Sequence, residues 1–194
     1  MKAIRYEAYG EPADVLRLEE AAIPLLNEGH VAVRVHACGL NPADWALCRG
    51  LSAKKLPSGI GLDVSGLITA IGEGVTDVAV GDAVFGPSSF MDYPTAGASD
   101  YAILYHWDRL PDGLSHVDAA ALPMVVETAA RYLSWLAAEG LFLVPIARTF
   151  ALEDWREALD ISVAGRARGK LVLLPSPRVD GSVDLGGPSA PLRT

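Results

Sequence analysis

His30-Val31-Ala32-Val33-Arg34-Val35-His36 alternates with a period of two. Val31, Val33 and Val35 point to one side, while Ala32, Arg34 and the two histidines point to the other, so one face is core and the other at least partly wet. A few residues on, Asn41-Pro42-Ala43-Asp44-Trp45-Ala46-Leu47-Cys48-Arg49-Gly50 changes the pattern. Proline at the first helical position, Asn41 as the cap before it and Gly50 as the stop predict one or two helical turns over 42–49. Outward from this pair, short apolar runs broken by glycine and proline predict strands at 2–7, 15–19, 30–37, 62–71, 82–86 and 99–105. The first hundred residues therefore read as a β-barrel or sandwich interrupted by one short helix.

The pattern changes again at Ser115. Ser115-His116-Val117-Asp118 has the form of an N-cap with an acid at the third helical position, opening an apolar stretch to about Ala138 that Pro123 should break or kink early. A strand-like run covers Leu141 to Phe150, an amphipathic helix Leu152 to Val163, and Lys170-Leu171-Val172-Leu173-Leu174 reads as a closing strand. From 176 to 194, glycine, proline and serine supply nine of nineteen residues, the composition of a disordered tail.

The balance of 194 residues sets outer limits. With 51% hydrophobic and 21% charged side chains the chain can bury a sizeable core, and 24 acidic against 16 basic residues give a net charge of -8. That charge opposes any broad grip on nucleic acid or anionic lipid. No apolar run is long enough to span a bilayer, and the N-terminus carries charges where a signal peptide is apolar, so a cytoplasmic location is expected. The two cysteines, Cys38 and Cys48, are too few for a disulfide framework and read as free thiols.

Four stretches, in order, carry a family resemblance: Val35 through Asp44; Gly61-Leu62-Asp63-Val64-Ser65-Gly66; Gly72-Glu73-Gly74-Val75 with Val80-Gly81-Asp82-Ala83-Val84-Phe85-Gly86; and Ala119-Ala120-Ala121-Leu122-Pro123. Continued by Arg148 through Leu152 and Gly165 through Leu173, the set resembles the N-terminal catalytic domain of the medium-chain dehydrogenase/reductase superfamily, in its zinc-independent quinone oxidoreductase branch. The resemblance covers residues 1–175. It implies a mainly β fold with some α, a GroES-like β-barrel with a few flanking helices, whose cleft in full-length members faces a Rossmann domain carrying NADPH. In the family that second domain sits between the helix resembling Leu122–Tyr132 and the segment resembling Phe142–Phe150. Here only about ten residues separate the two, placing a deletion junction near 132–142, whereas a Rossmann domain needs on the order of 100 residues. The glycine fingerprint is missing too: Gly59/Gly61 and Gly72/Gly74 have the G-x-G spacing, but their third positions are Val64 and Asp77.

For function, the resemblance implies an ancestral NADPH-dependent reduction of a quinone, enone or other carbonyl compound, with no cofactor expected for this chain alone. Two alternatives stand beside it: a cofactor-independent cyclase, isomerase or dehydratase on the same cleft, and a non-catalytic binding or assembly module. A small-molecule substrate is expected, and self-association or a partner chain is expected through the apolar helix 124–136, which a missing domain would uncover.

In zinc-dependent relatives the ligands are a cysteine and a Gly-His-Glu segment; the matching positions are Asn41 and Gly61-Leu62-Asp63, so no metal is expected. Asn41 and Asp44 are the candidate catalytic pair. In one reading Asn41 donates to a substrate carbonyl and Asp44 orients it or shuttles a proton; in the other both residues serve the helix start. Asp63, a candidate cleft residue on a strand that reads as buried, must be paired or protonated, and a structural hydrogen bond to the barrel backbone is the favoured role over catalysis. Trp45 and Thr128 complete the candidate cleft. The four histidines show no motif spacing, His30 and His36 read as exposed, and Arg166, Arg168 and Lys170 read as a basic turn open to water.

Overall fold

The computed structural model describes residues 1–133, 145–165 and 167–175. The expected tail 176–194, the core of the junction and the helix end at Ala138 lie outside the described residues. The elements run β1 (Lys2–Tyr6), α1 (Pro12–Val15), β2 (Arg17–Glu20), β3 (Val31–Leu40), α2 (Pro42–Cys48), β4 (Ser58–Gly59), β5 (Asp63–Ile71), β6 (Ala83–Pro87), β7 (Tyr101–Leu104), β8 (Asp108–Arg109), α3 (His116–Ala119), α4 (Pro123–Leu133), β9 (Ile146–Ala151), α5 (Trp155–Val163) and β10 (Lys170–Leu174), with one 3₁₀ turn, Leu152–Asp154, before α5. The fold is mainly β with α, as expected. Strands β4 and β8, two residues each, are too short to leave a periodic signal.

Strand β3 organises the larger sheet. Its first half, Val31–Arg34, pairs antiparallel with β5 on one side and β7 on the other, and its second half, Cys38–Leu40, exchanges β7 for β10. The full order is β8-β6-β5-β3-β10-β9, and a three-stranded sheet β2-β1-β4 is joined to it through the Ala3–Ser99 bridge. The valines of β3 are buried as the alternation predicts, whereas His36 and Arg34 are only half-buried. Strand β3 also runs on to Leu40, because β10 supplies a partner ladder that nothing local announces. Between Val35 and Ala37 the register with β5 slips: Val35 faces Gly66 and Ala37 faces Ser65, leaving His36 as the extra residue of a bulge.

The stretch after Ser115 breaks where proline demands. Ser115 Oγ accepts the Asp118 N–H at 3.1 Å and caps α3, and Pro123 then opens α4, where its missing N–H costs nothing. Beyond the junction, β9, α5 and β10 form a parallel β-α-β unit. Its apolar residues Phe150, Trp155, Leu159, Leu171 and Leu173 share one core with Val31, Val33, Val64, Ile68 and Leu104 from the strands before the junction. The two ends of the chain are thus one packed body, not an appended segment.

Candidate functional site

Helix α2 begins where β3 ends, and its first turn is held from three directions. The Asp44 carboxylate reaches back to the Asn41 N–H at 2.7 Å with one oxygen and accepts the Gly61 N–H at 2.7 Å with the other. Gly61 has φ +96°, and a Cβ there would meet the Ala98 backbone and Cys38 Sγ, so glycine alone lets that N–H point at the carboxylate. Asp44 is fully buried. Loss of water pushes its carboxyl from 3.8 up to about 7; the two N–H donors oppose that rise without cancelling it, and the Asp63 charge adds to it.

The Asn41 side chain turns the opposite way. Its Nδ2 donates to Asp63 Oδ2 at 3.1 Å, and its Oδ1 accepts from Lys170 Nζ, which also lies 2.8 Å from Asp63 Oδ2. The second Asp63 oxygen accepts the Met124 N–H at 2.9 Å, at the start of α4. Four buried groups, Asn41 between β3 and α2, Asp44 on α2, Asp63 on β5 and Lys170 on β10, thus form one network with the N-terminus of α4. The two positions that match zinc ligands in the resemblance, Asn41 and Asp63, are bridged by a lysine ammonium. Gly39 makes room for it: a Cβ there would strike the Ala120 carbonyl and stand 3.0 Å from Lys170 Cε and 3.1 Å from Asp63 Cβ.

This geometry redistributes the expected roles. Asn41 and Asp44 do stand together with Asp63, but their polar atoms point at one another and at the backbone. Trp45 is buried, and its indole N–H donates to Ser162 Oγ at 2.7 Å, so it ties α2 to α5 and does not line a wall. Thr128 is exposed one turn along α4 from Met124. Lys170, read from sequence as part of a water-facing basic turn, is buried as the counter-ion of Asp63. The signal for it was a lysine opening an apolar strand while a buried carboxylate lacked a cation.

The histidines also depart from their reading. His36 and His116 lie with ring centroids 4.4 Å apart, and His116 Nδ1 is 2.7 Å from Ser65 Oγ. Ser65 Oγ also lies 3.0 Å from Val84 O. Ser65 is fully buried. Burial, then the neighbouring His36, lowers His116 to about 4; burial and Arg34 lower His36.

A third set of polar groups had no sequence signal. Lys54 Nζ lies 4.8 Å from the centre of the Phe90 ring, withdrawn from solvent and without a hydrogen-bond partner, and its ammonium is lowered by burial to about 8. Tyr6 Oη is likewise buried, beside the Ser58 hydroxyl, which lies 3.4 Å from Gly59 O.

Residues 27–108 match the alcohol dehydrogenase GroES-like domain, which defines the class of protein to which this β-rich body belongs. The quinone oxidoreductase of Lama guanicoe is 38% identical over 138 residues, covering 69% of this chain and 40% of the relative. Among solved structures, the quinone oxidoreductase from Coxiella burnetii superposes with a TM-score of 0.64 at 29% identity, covering 78% of this chain and 48% of that one. The Escherichia coli quinone oxidoreductase complexed with NADPH gives 0.62 at 22% identity, covering 82% and 50%, a likeness of fold. The chain thus carries a GroES-like domain and is similar over its matched length to quinone oxidoreductases. It spans about 40% of the length of the curated relatives it matches. Only residues 134–145 lie between α4 and β9, where the family carries its Rossmann domain. Among the described residues no helix is long and apolar enough to cross a membrane.

Proposed function

We propose that this chain is the substrate-binding half of a quinone reductase-type oxidoreductase, taking small quinones, enones or related carbonyl compounds and transferring no hydride by itself. One observation carries the reading: Lys170, which follows the junction, still closes on Asn41 and Asp63, which precede it. The scaffold that fixes α2 and the start of α4 is therefore retained although only a dozen residues, 134–145, stand where the family has its second domain.

NADPH is the cofactor the family implies, and the residues present do not fit it. The β9-α5-β10 unit is the one β-α-β unit among the described residues, and its first turn reads Ala151-Leu152-Glu153-Asp154, with Glu157 in the first turn of α5. A pyrophosphate needs bare N–H groups on a glycine turn at that place, and this turn has no glycine. Hydride chemistry on this scaffold therefore requires a cofactor site outside the described residues. The exposed Val126 on α4, 48% accessible, supports the companion reading that helix 124–136 meets a partner or a second copy, although Trp135 lies outside the described residues. The cofactor-free alternative loses its proposed proton shuttle, since both oxygens of Asp44 are occupied by backbone donors.

Calorimetric titration with NADPH, beside titration with duroquinone followed by tryptophan fluorescence, tests the proposal. Quinone binding without NADPH binding or turnover is the expected result. Micromolar NADPH affinity with quinone reduction would overturn the half-enzyme reading, and no response to quinone would overturn the substrate class.

A further inference from the structure

Asn41, to which the resemblance gives the substrate carbonyl, has both ends of its amide engaged by Asp63 and Lys170. If a ligand oxygen is to be held in this chain, another donor must hold it. Buried polar groups are nearly always hydrogen-bonded, because an unmet donor forfeits its hydration without return. Lys54 Nζ departs from that rule: it is enclosed, it faces the Phe90 ring at 4.8 Å, and among the described residues no acceptor meets it. Its backbone is firmly placed, since Tyr9 Oη donates to Lys54 O at 3.0 Å and accepts the Lys54 N–H at 2.6 Å. The unmet ammonium is therefore not the tip of a wandering surface lysine; Lys55 beside it is exposed.

Its surroundings also point to an acceptor. Lys54 and the buried Tyr6 hydroxyl both lie within electrostatic reach of Cys48 and Asp44, at the same region of α2. The thiol of Cys48 is pushed up to about 12, chiefly by burial, so it offers no anion to Lys54 at neutral pH. Asp44 directs both oxygens elsewhere. The ring face of Phe90 holds a cation by its quadrupole but accepts no conventional hydrogen bond, and it is an apolar surface against which a flat ligand can lie.

We propose that Lys54 is the ligand-binding residue of this chain, its ammonium donating a hydrogen bond to the carbonyl oxygen of a flat quinone or enone that packs against Phe90. The proposal rests on the substrate class given above and replaces Asn41 with Lys54 as the donor. Binding displaces the Phe90 ring or swings the lysine stem, and the ammonium exchanges a ring face for an oxygen.

The experiment compares the whole chain with Lys54→Met, which keeps the length of the side chain and removes the charge. The probes are duroquinone, whose four methyl groups block addition to thiols, and durene, the same ring without carbonyl oxygens. Wild type is expected to bind duroquinone, and Lys54→Met about tenfold or more weaker, the usual effect of losing a charged hydrogen bond. Durene affinity should be unchanged, and Lys54→Met should melt a few degrees higher, because an unmet buried ammonium has been removed. Equal duroquinone affinity in both proteins overturns the role of Lys54 and leaves the substrate class standing. A lower melting temperature, or an equal loss of durene affinity, makes Lys54 a packing residue and overturns it as well. Failure of wild type to bind duroquinone overturns both readings together.

Discussion

Lys170 Nζ and Asp63 Oδ2 meet at 2.8 Å, both buried, on strands that lie on either side of β3. The pair is supported on both sides: Asn41 Oδ1 accepts from the lysine, and Asn41 Nδ2 and the Met124 N–H donate to the carboxylate. A buried ion pair contributes little net stability against a well-packed apolar substitute, but removing one partner strands the other.

Lys170→Met should therefore cost about 3 kcal/mol or more in urea unfolding, with Asp63 left as an uncompensated charge. Asp63→Asn/Lys170→Met, which removes both charges, should recover part of the loss. A double variant no better than the single one would show that packing of the lysine stem, and not charge, is what matters.

Gly39→Ala tests the clearance around that pair. Its new methyl would meet the Ala120 carbonyl and crowd Lys170 Cε and Asp63 Cβ, and the expected cost is about 3 kcal/mol, typical of overpacking against backbone that cannot yield. Unchanged unfolding midpoints would contradict the close approach of α3 to β3.

The pH dependence of stability combines two opposed groups. Asp44, raised from 3.8 to about 7, favours the folded state below pH 4 and loses that contribution as pH rises through 7. His116, lowered from 6.5 to about 4, contributes above pH 6.5 and loses its contribution as pH falls through 4. Between pH 4 and 6.5 the slopes partly cancel, so the variants are the informative proteins. His116→Gln should leave stability falling more steeply with rising pH in that window, and Asp44→Asn should leave it rising. Denaturant titrations at pH 4, 5.5 and 7 check both signs, and matching slopes in all three proteins would count against both assignments.

Ser162→Ala removes the acceptor of the Trp45 indole N–H across α2 and α5. A loss of about 1 kcal/mol is expected, with Trp45 remaining buried and its emission blue. A red-shifted emission would mean that this bond alone keeps the ring inside.

Much of the fold was legible because it is written locally. The alternation of Val31, Val33 and Val35, the Asn41-Pro42 helix start and the Ser115 cap each declare themselves within a few residues. The candidate site was legible only in part. Asn41, Asp44 and Asp63 were recognisable as a cluster through the family motifs, but the direction of their polar atoms depends on Lys170, which is 129 residues from Asn41. Separation in sequence also hides the contact between His36 and His116, which arises from a bulge in one strand and a helix start elsewhere. Lys54 is the extreme case: what marks it is the lack of any acceptor, and no spacing rule encodes an absence.

The place of Lys170 has a consequence for synthesis. Strand β10 emerges from the ribosome after every other described element, and until it does, Asp63 has no cation and β3 lacks the partner of its second half. Closing a loop of that length adds entropy to the barrier of folding, and the waiting chain exposes the apolar faces that Leu171 and Leu173 will cover. A stop codon before position 170 should yield not a smaller working protein but an unfinished one, fit for proteolysis; the last described strand decides whether the first hundred residues survive.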